Sequence, residues 1–271
     1  MKKFIAPLGM AFLFIVTQLI SAFISIPFKK AGIKAFENPN DPMNVVQIII
    51  YFIVFTAIIL IISKYKENLI KYVILLAFFL ASISIFQAFF YFIPFSFFIA
   101  LLLSIIMVVL LIKYPEWYVI DFFGVFIAGG IAAIFAISIL PIYIILLLIV
   151  LAIYDFIAVY KTRHMIKLAE KVANSNLPLL IIFPKKKDYS YIKDELGRNN
   201  AIYMGLGDIV IPGMLISASF LEKGFIGFIA TLAGSLIGFS ALMILVRKSP
   251  QAGLPYLNGG AIAGYLLAYF M

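Results

Sequence analysis

Two acidic residues stand where acids are costly. Asp155 and Asp208 lie within long apolar stretches, whereas Glu37, Asp41, Glu67, Glu116, Glu170, Asp188, Asp194, Glu195 and Glu222 fall at segment ends or in polar connections. An Asp at the centre of a membrane helix costs about 2.5–3.5 kcal/mol on insertion scales, so such residues face a cavity or a partner and mark function. A close carboxylate pair has a definite chemistry. Two negative charges about 3 Å apart do not both persist, and one carboxyl keeps its proton. The charged member can draw a proton from a water while the neutral member donates to a carbonyl oxygen, which is acyl hydrolysis without a covalent intermediate. Such a pair titrates as a unit, so neither role is assigned to either residue. A proton relay in a transporter and a plain interhelical hydrogen bond are competing uses of the same residue type. Asp121 is a third acid in an apolar stretch; it closely follows Trp117 and Tyr118, and interfacial solvation accounts for it.

The elements that must carry these acids are membrane helices. Hydrophobic residues make up 65% of the 271 and charged residues 12%, about half the charged share of a soluble domain. A spanning helix needs about 20 mainly apolar residues. Nine stretches qualify, near 4–27, 44–63, 69–91, 94–112, 118–138, 141–160, 201–221, 224–246 and 254–271, which predicts an all-α, nine-helix polytopic bundle. The first follows Lys2 and Lys3 as a signal peptide would, but its apolar run is too long and no A-x-A site follows it. Pro94 and Pro141 read as helix openers. The chain divides into spans one to six (1–160), a connection (161–200) and spans seven to nine (201–271), all in one transmembrane domain of 1–271.

Charge orients the bundle. With the N-terminus inside, all of the 21 Lys and Arg except Lys29, Lys30, Lys34 and Lys223 lie on the inner side. The positive-inside rule then favours a cytoplasmic N-terminus, an outer C-terminus, a cytoplasmic 161–200 loop and an odd number of spans in a cell membrane. The formal charge of +9 is explained by this bias, and nucleic acid is not a partner. On that topology Asp155 stands six residues before Lys161, about 9 Å along a helix, and Asp208 eight residues after Asn200, about 12 Å. The two carboxyls therefore fall at similar depth on consecutive antiparallel helices. Ala152, Ala158, Gly205 and Gly207 are small neighbours that allow those helices to approach closely. Gly234, Gly238, Gly259, Gly260 and Gly264 read as close-packing positions.

Several chemistries are excluded. There is no cysteine, so disulfides, thiol nucleophiles and thiolate metal sites are absent. The one histidine, His164, sits in Lys161-Thr162-Arg163-His164 and cannot build a zinc protease motif. No metal or organic cofactor is implied. Within 161–200 the apolar stretch Leu177–Phe183, bounded by Pro178 and Pro184, is too short to span; an interfacial segment or short strand is an alternative, but a loop lying on the membrane is the expectation.

The surroundings of both aspartates carry a resemblance. Tyr154-Asp155 resembles the YD motif, and Gly205-Leu206-Gly207-Asp208 the GxGD motif, of the presenilin and signal peptide peptidase family of intramembrane aspartyl proteases. Either motif alone is weak; both together in spans six and seven of nine are specific. The likeness covers the chain by topology and its last half by motif. The family's PAL motif matches in part: in Gln251-Ala252-Gly253-Leu254-Pro255 the leucine and following proline fit, while Ala252 and Gly253 replace the first proline and the alanine. The resemblance implies that Asp155 and Asp208 are catalytic, and that Gly253, Leu254 and Pro255 lie beside them and help hold an extended substrate. The alternative is that Gly253 and Pro255 only start the last helix. Tyr154 either orients the carboxylate, walls a water cavity or packs as an ordinary aromatic.

The expectation is thus a stand-alone protease that unwinds a transmembrane peptide or signal-peptide remnant in the lipid bilayer and cuts it. A proton-coupled transporter using the same aspartates is the alternative, although no internal repeat of the kind transporters show is evident. A membrane scaffold, a prepilin-peptidase-like enzyme and a rhomboid-type serine protease fit less well.

Overall fold

The computed structural model describes residues 2–65, 67–162, 179–186, 188–192, 200–246 and 251–270. Most of the 161–200 connection, His164 included, lies outside the described residues. The elements are α1 (Lys2–Ala31), α2 (Met43–Tyr65), α3 (Glu67–Phe89), α4 (Ser96–Lys113), α5 (Trp117–Ser138), α6 (Pro141–Ile157), a π-helical turn (Ala158–Thr162), β1 (Leu180–Pro184), β2 (Ala201–Gly205), α7 (Leu206–Leu245) and α8 (Leu254–Phe270).

Apolar surface turned outward on nearly every helix fits a lipid exterior. Large side chains such as Phe122, Ile142 and Ile237 are well exposed, as expected where the surroundings are hydrocarbon and backbone polar groups are closed within helices. Among the described residues six helices are long and apolar enough to cross a membrane: Ile5–Ala31, Leu69–Phe89, Ser96–Lys113, Trp117–Ser138, Pro141–Lys161 and Leu206–Leu245. A seventh apolar stretch, Met43–Ile59, is shorter, and α8 has 17 residues.

Sequence signals explain several ends. Gly32 at φ 69° closes α1, with Ile33 N–H donating to Phe28 O and Gly32 N–H to Lys29 O, the paired bonds of a left-handed C-terminal cap. Pro141 opens α6, where its missing N–H leaves nothing unpaired. Pro94 does not open α4. The helix starts at Ser96, because Phe95 takes the left-handed conformation (φ 65°) and reverses the chain first.

α7 is 40 residues long, about 60 Å, or twice the hydrocarbon thickness of a bilayer. Gly224 interrupts it with φ 64°, ψ −147°, a combination open essentially to glycine alone. The two arms so formed correspond to the stretches 201–221 and 224–246, except at their start. Residues 201–205 are strand, and the helix begins at Leu206.

The stretch Leu177–Phe183 also departs from its expected form. Leu180–Pro184 is not a loop on the membrane but a strand, paired antiparallel with β2 in the register Leu180↔Gly205, Ile182↔Tyr203, Pro184↔Ala201. Ile181 and Ile182 are both fully buried. A strand covered on both faces reads as a plain apolar run without alternation, and it lies in the core with α1 and α5. Among the described residues the fold is therefore helical with one two-stranded sheet.

Packing centres on α1, α5 and α7, while α8 lies between the second arm of α7 and α6. The α7–α8 contact is backbone on backbone. A Cβ at Gly234 would sit 2.1 Å from the Gly260 carbonyl oxygen, and one at Gly264 2.2 Å from that of Ala230. Gly234, Gly238, Gly260 and Gly264 are thus close-packing positions; Gly259 is not, since a Cβ there meets nothing within 4 Å.

Candidate functional site

Asp155 lies in the last turn of α6, on the buried face shared by Leu148 and Leu151. Directly after it the helix widens into the π turn Ala158–Thr162, a feature frequent at functional sites. Asp208 is the third residue of α7, where the N-terminal end of the helix dipole favours an acid. It is reached from β2 without a loop, because Gly205 is both the last residue of the strand and the N-cap of the helix. The depth estimate for Asp208 is corrected accordingly. The approach from residue 200 runs mostly through strand, which rises about 3.3 Å per residue rather than 1.5 Å.

The segment in front of α8 connects the two acids. Leu254 N–H donates to Asp155 Oδ2 at 3.0 Å, and the Gly253 amide points at the same carboxyl. A Cβ on Gly253 would lie 3.4 Å from both Cγ and Oδ2 of Asp208 and 3.5 Å from Oδ1. The 253–254 segment therefore bonds Asp155 and leaves room for little more than a methyl group before the Asp208 carboxyl, and the two carboxyl groups lie within electrostatic reach of each other. Residues 251–253 are irregular, as backbone at membrane depth can be when it lines a site. Tyr160 of the π turn hydrogen-bonds the Gln251 side chain, tying that segment to the end of α6.

The remaining sequence candidates fall in different places. Gly205 borders Asp208, its Cβ position lying 3.3 Å from Oδ2. Leu206 is buried, sits 3.4 Å from the Cβ position of Gly124 and donates its N–H to Leu179 O. Gly207 is exposed, and a Cβ there would meet nothing within 4 Å. Pro255 occupies the first turn of α8. Tyr154 packs edge-on against Phe52 of α2, 5.5 Å between ring centroids, which favours its packing role.

Sequence reasoning missed several polar residues that hold these parts. Asn258, one turn beyond Leu254, donates from Nδ2 to Leu148 O at 2.9 Å and so fastens α8 to α6. Gln18 of α1 donates from Nε2 to Ile209 O at 3.0 Å, one residue past Asp208. Asp121 is not solvated at an interface. It is 5% exposed, and its Oδ1 accepts the Ile182 N–H of β1 at 2.7 Å. Glu116 accepts from Ser190 Oγ at 2.7 Å and Tyr191 N–H at 3.0 Å. The available signal was polarity itself, since polar side chains in apolar spans join helices. The two described cavities, about 360 and 280 Å³, share Leu140, Pro141 and Glu222. They lie at the opposite end of α6 from Asp155, about 20 Å along the helix.

The model of the family described as signal-peptide peptidase, presenilin aspartyl protease matches residues 11–271. The chain belongs to this family. Two solved structures of a presenilin family intramembrane aspartate protease are similar to it throughout. The crystal form in space group P2 shares 32% identity over 97% of both chains with a TM-score of 0.72. The C222 form shares 30% over 96% of this chain and 95% of that one, with a TM-score of 0.70. No curated protein is a match. As a presenilin-family protein the chain is a multi-pass membrane protease of aspartic type. Nothing in this membership supports the transporter alternative.

Proposed function

We propose that Asp155 and Asp208 are the catalytic pair, and that they hydrolyse a peptide bond of a transmembrane segment or signal-peptide remnant with an activated water. The observation that carries this reading is that one segment adjoins both acids, with Leu254 N–H on Asp155 and Gly253 beside Asp208. One carboxylate would take a proton from the water as its oxygen attacks the scissile carbonyl carbon. The other carboxyl would give its proton to the carbonyl oxygen. Collapse of the tetrahedral species then expels the amine, which takes up a proton from the pair. The backbone contacts on Asp155 fix its orientation before substrate arrives, the preorganisation such chemistry rewards.

A helical amide is hydrogen-bonded and shielded, so the substrate must be extended at the cut. The β2 edge suits that need. Pairing of 179 with 206 and 185 with 200 turns the backbone groups of Ala201 and Tyr203 away from β1, while the Gly205 amide, turned the same way, meets the Asp208 carboxyl. No third strand covers them among the described residues. An unwound substrate added along this edge would be led directly to Asp208, with main-chain bonds giving affinity. We infer further that both arms of α7 cross the bilayer. With the N-terminus cytoplasmic and the C-terminus outside, this brings the number of crossings to nine.

The test is cleavage of a model membrane peptide by the purified protein in liposomes. Asp155→Asn and Asp208→Asn should each reduce turnover below detection. Cleavage at the wild-type rate by either variant would overturn the pair.

A further inference from the structure

We propose that Gln18 of α1 is a positioning residue for Asp208, holding from outside a helical turn that α7 leaves open. This rests on the reading of Asp208 as one of the catalytic pair.

The opening comes from Pro212. In an α-helix the N–H of residue 212 would bond the carbonyl of residue 208. Proline has no N–H, and its ring crowds that same carbonyl. Pro212 is inside α7, so the main-chain carbonyl of Asp208 loses its intrahelical donor. The next carbonyl, that of Ile209, receives Gln18 Nε2 at 3.0 Å in a buried bond. Gln18 is 0% exposed. A Cβ at Gly213 would lie 2.5 Å from Gln18 Oε1 and 3.3 Å from its Cδ, so a glycine at 213 is what lets the amide reach the helix backbone. Further along the same α1–α7 seam, Ser21 Oγ and Ser217 Oγ bond at 2.6 Å.

As a buried neutral hydrogen bond, Gln18 Nε2 to Ile209 O contributes only about 1 kcal/mol to the fold. What the amide adds is a fixed position for the turn beside Asp208. A displacement of about 1 Å at a reacting group can cost about 100-fold in rate.

The experiment compares Gln18→Met, Pro212→Ala and the double variant of the full chain in the liposome cleavage assay, alongside Asp208→Asn. Gln18→Met should lower kcat about 10-fold with KM within about twofold, while the thermal midpoint falls by no more than about 2–4 °C. In the Pro212→Ala background the same substitution should lower kcat less than about threefold, because the restored N–H closes the turn on the Asp208 carbonyl. Gly213→Ala, which crowds the amide from the other side, should reproduce the kcat loss if Gln18→Met fails to fold. Unchanged kcat in the folded variants, or equal losses in both backgrounds, overturns the proposal while leaving the pair intact. Wild-type cleavage by Asp208→Asn would instead remove the pair and this proposal with it.

Discussion

Gly253 replaces the alanine of the PAL motif that the sequence resembles, and its contacts say what that replacement changes. A Cβ at this position stands at 3.4 Å from the Asp208 carboxyl, ordinary van der Waals contact. Gly253→Ala should therefore keep kcat/KM within about threefold. Gly253→Leu should lose more than about 10-fold, because its larger side chain must displace the carboxyl. Steady-state cleavage of a membrane peptide checks both. Asn258 is the second residue of interest. Asn258→Leu removes one buried bond to Leu148 O, worth about 1 kcal/mol, and should lower the thermal midpoint in detergent by about 2–4 °C. At this scale the sequence exposed much of the site. Two acids in apolar spans, each beside small residues, stand out by polarity and spacing. The bonds Leu254–Asp155, Asn258–Leu148 and Gln18–Ile209 do not stand out, because each joins residues about 100 or more apart and depends on how helices meet.

Among the elements, the hairpin was least legible, and it has the most to say about how Asp208 is held. Its residues Ile181 and Ile182 are buried on both faces, so the period of two that marks a half-exposed strand is missing. The 201–205 strand merges into the apolar run of α7 and reads as more helix. The hairpin is gripped by Asp121 of α5, and the connection between its strands by Glu116 just ahead of that helix. From α1 it is notched at Gly9, where a Cβ would lie 2.0 Å from the Phe183 ring. Asp121→Leu would leave the buried Ile182 N–H unpaired, at a cost of about 1–3 kcal/mol. Asp121→Asn retains an acceptor and should cost less than half as much. Thermal unfolding of the two variants side by side measures the difference, and equal losses would show that the bond to Ile182 is not what Asp121 contributes. Glycine spacing, by contrast, was readable. Gly234 and Gly260 meet backbone to backbone, as small residues in membrane helices do.

For the whole molecule, composition alone identified a membrane bundle, because 65% hydrophobic residues leave a soluble chain no exterior. The orientation is testable without background, since the chain has no cysteine. On a cytoplasmic N-terminus, Lys113→Cys should react with a membrane-impermeant maleimide only after the cytoplasmic side is opened. Lys223→Cys should react in intact cells. The reverse pattern would invert the bundle.

The turn at Gly224 has one more effect. Because the two arms of α7 join with no linker, the chain cannot pay out slack there when the surrounding lipid thickens or thins. Asp208 is fifteen residues from Lys223, about 22 Å along the first arm. With that arm crossing the bilayer, the acid hangs at a set distance beneath one headgroup layer. Longer acyl chains would draw the opposite boundary away from it and shorter ones would bring water up to it. Turnover in vesicles of graded chain length should pass through a maximum, so the host lipid becomes a regulator of this chain without binding any pocket.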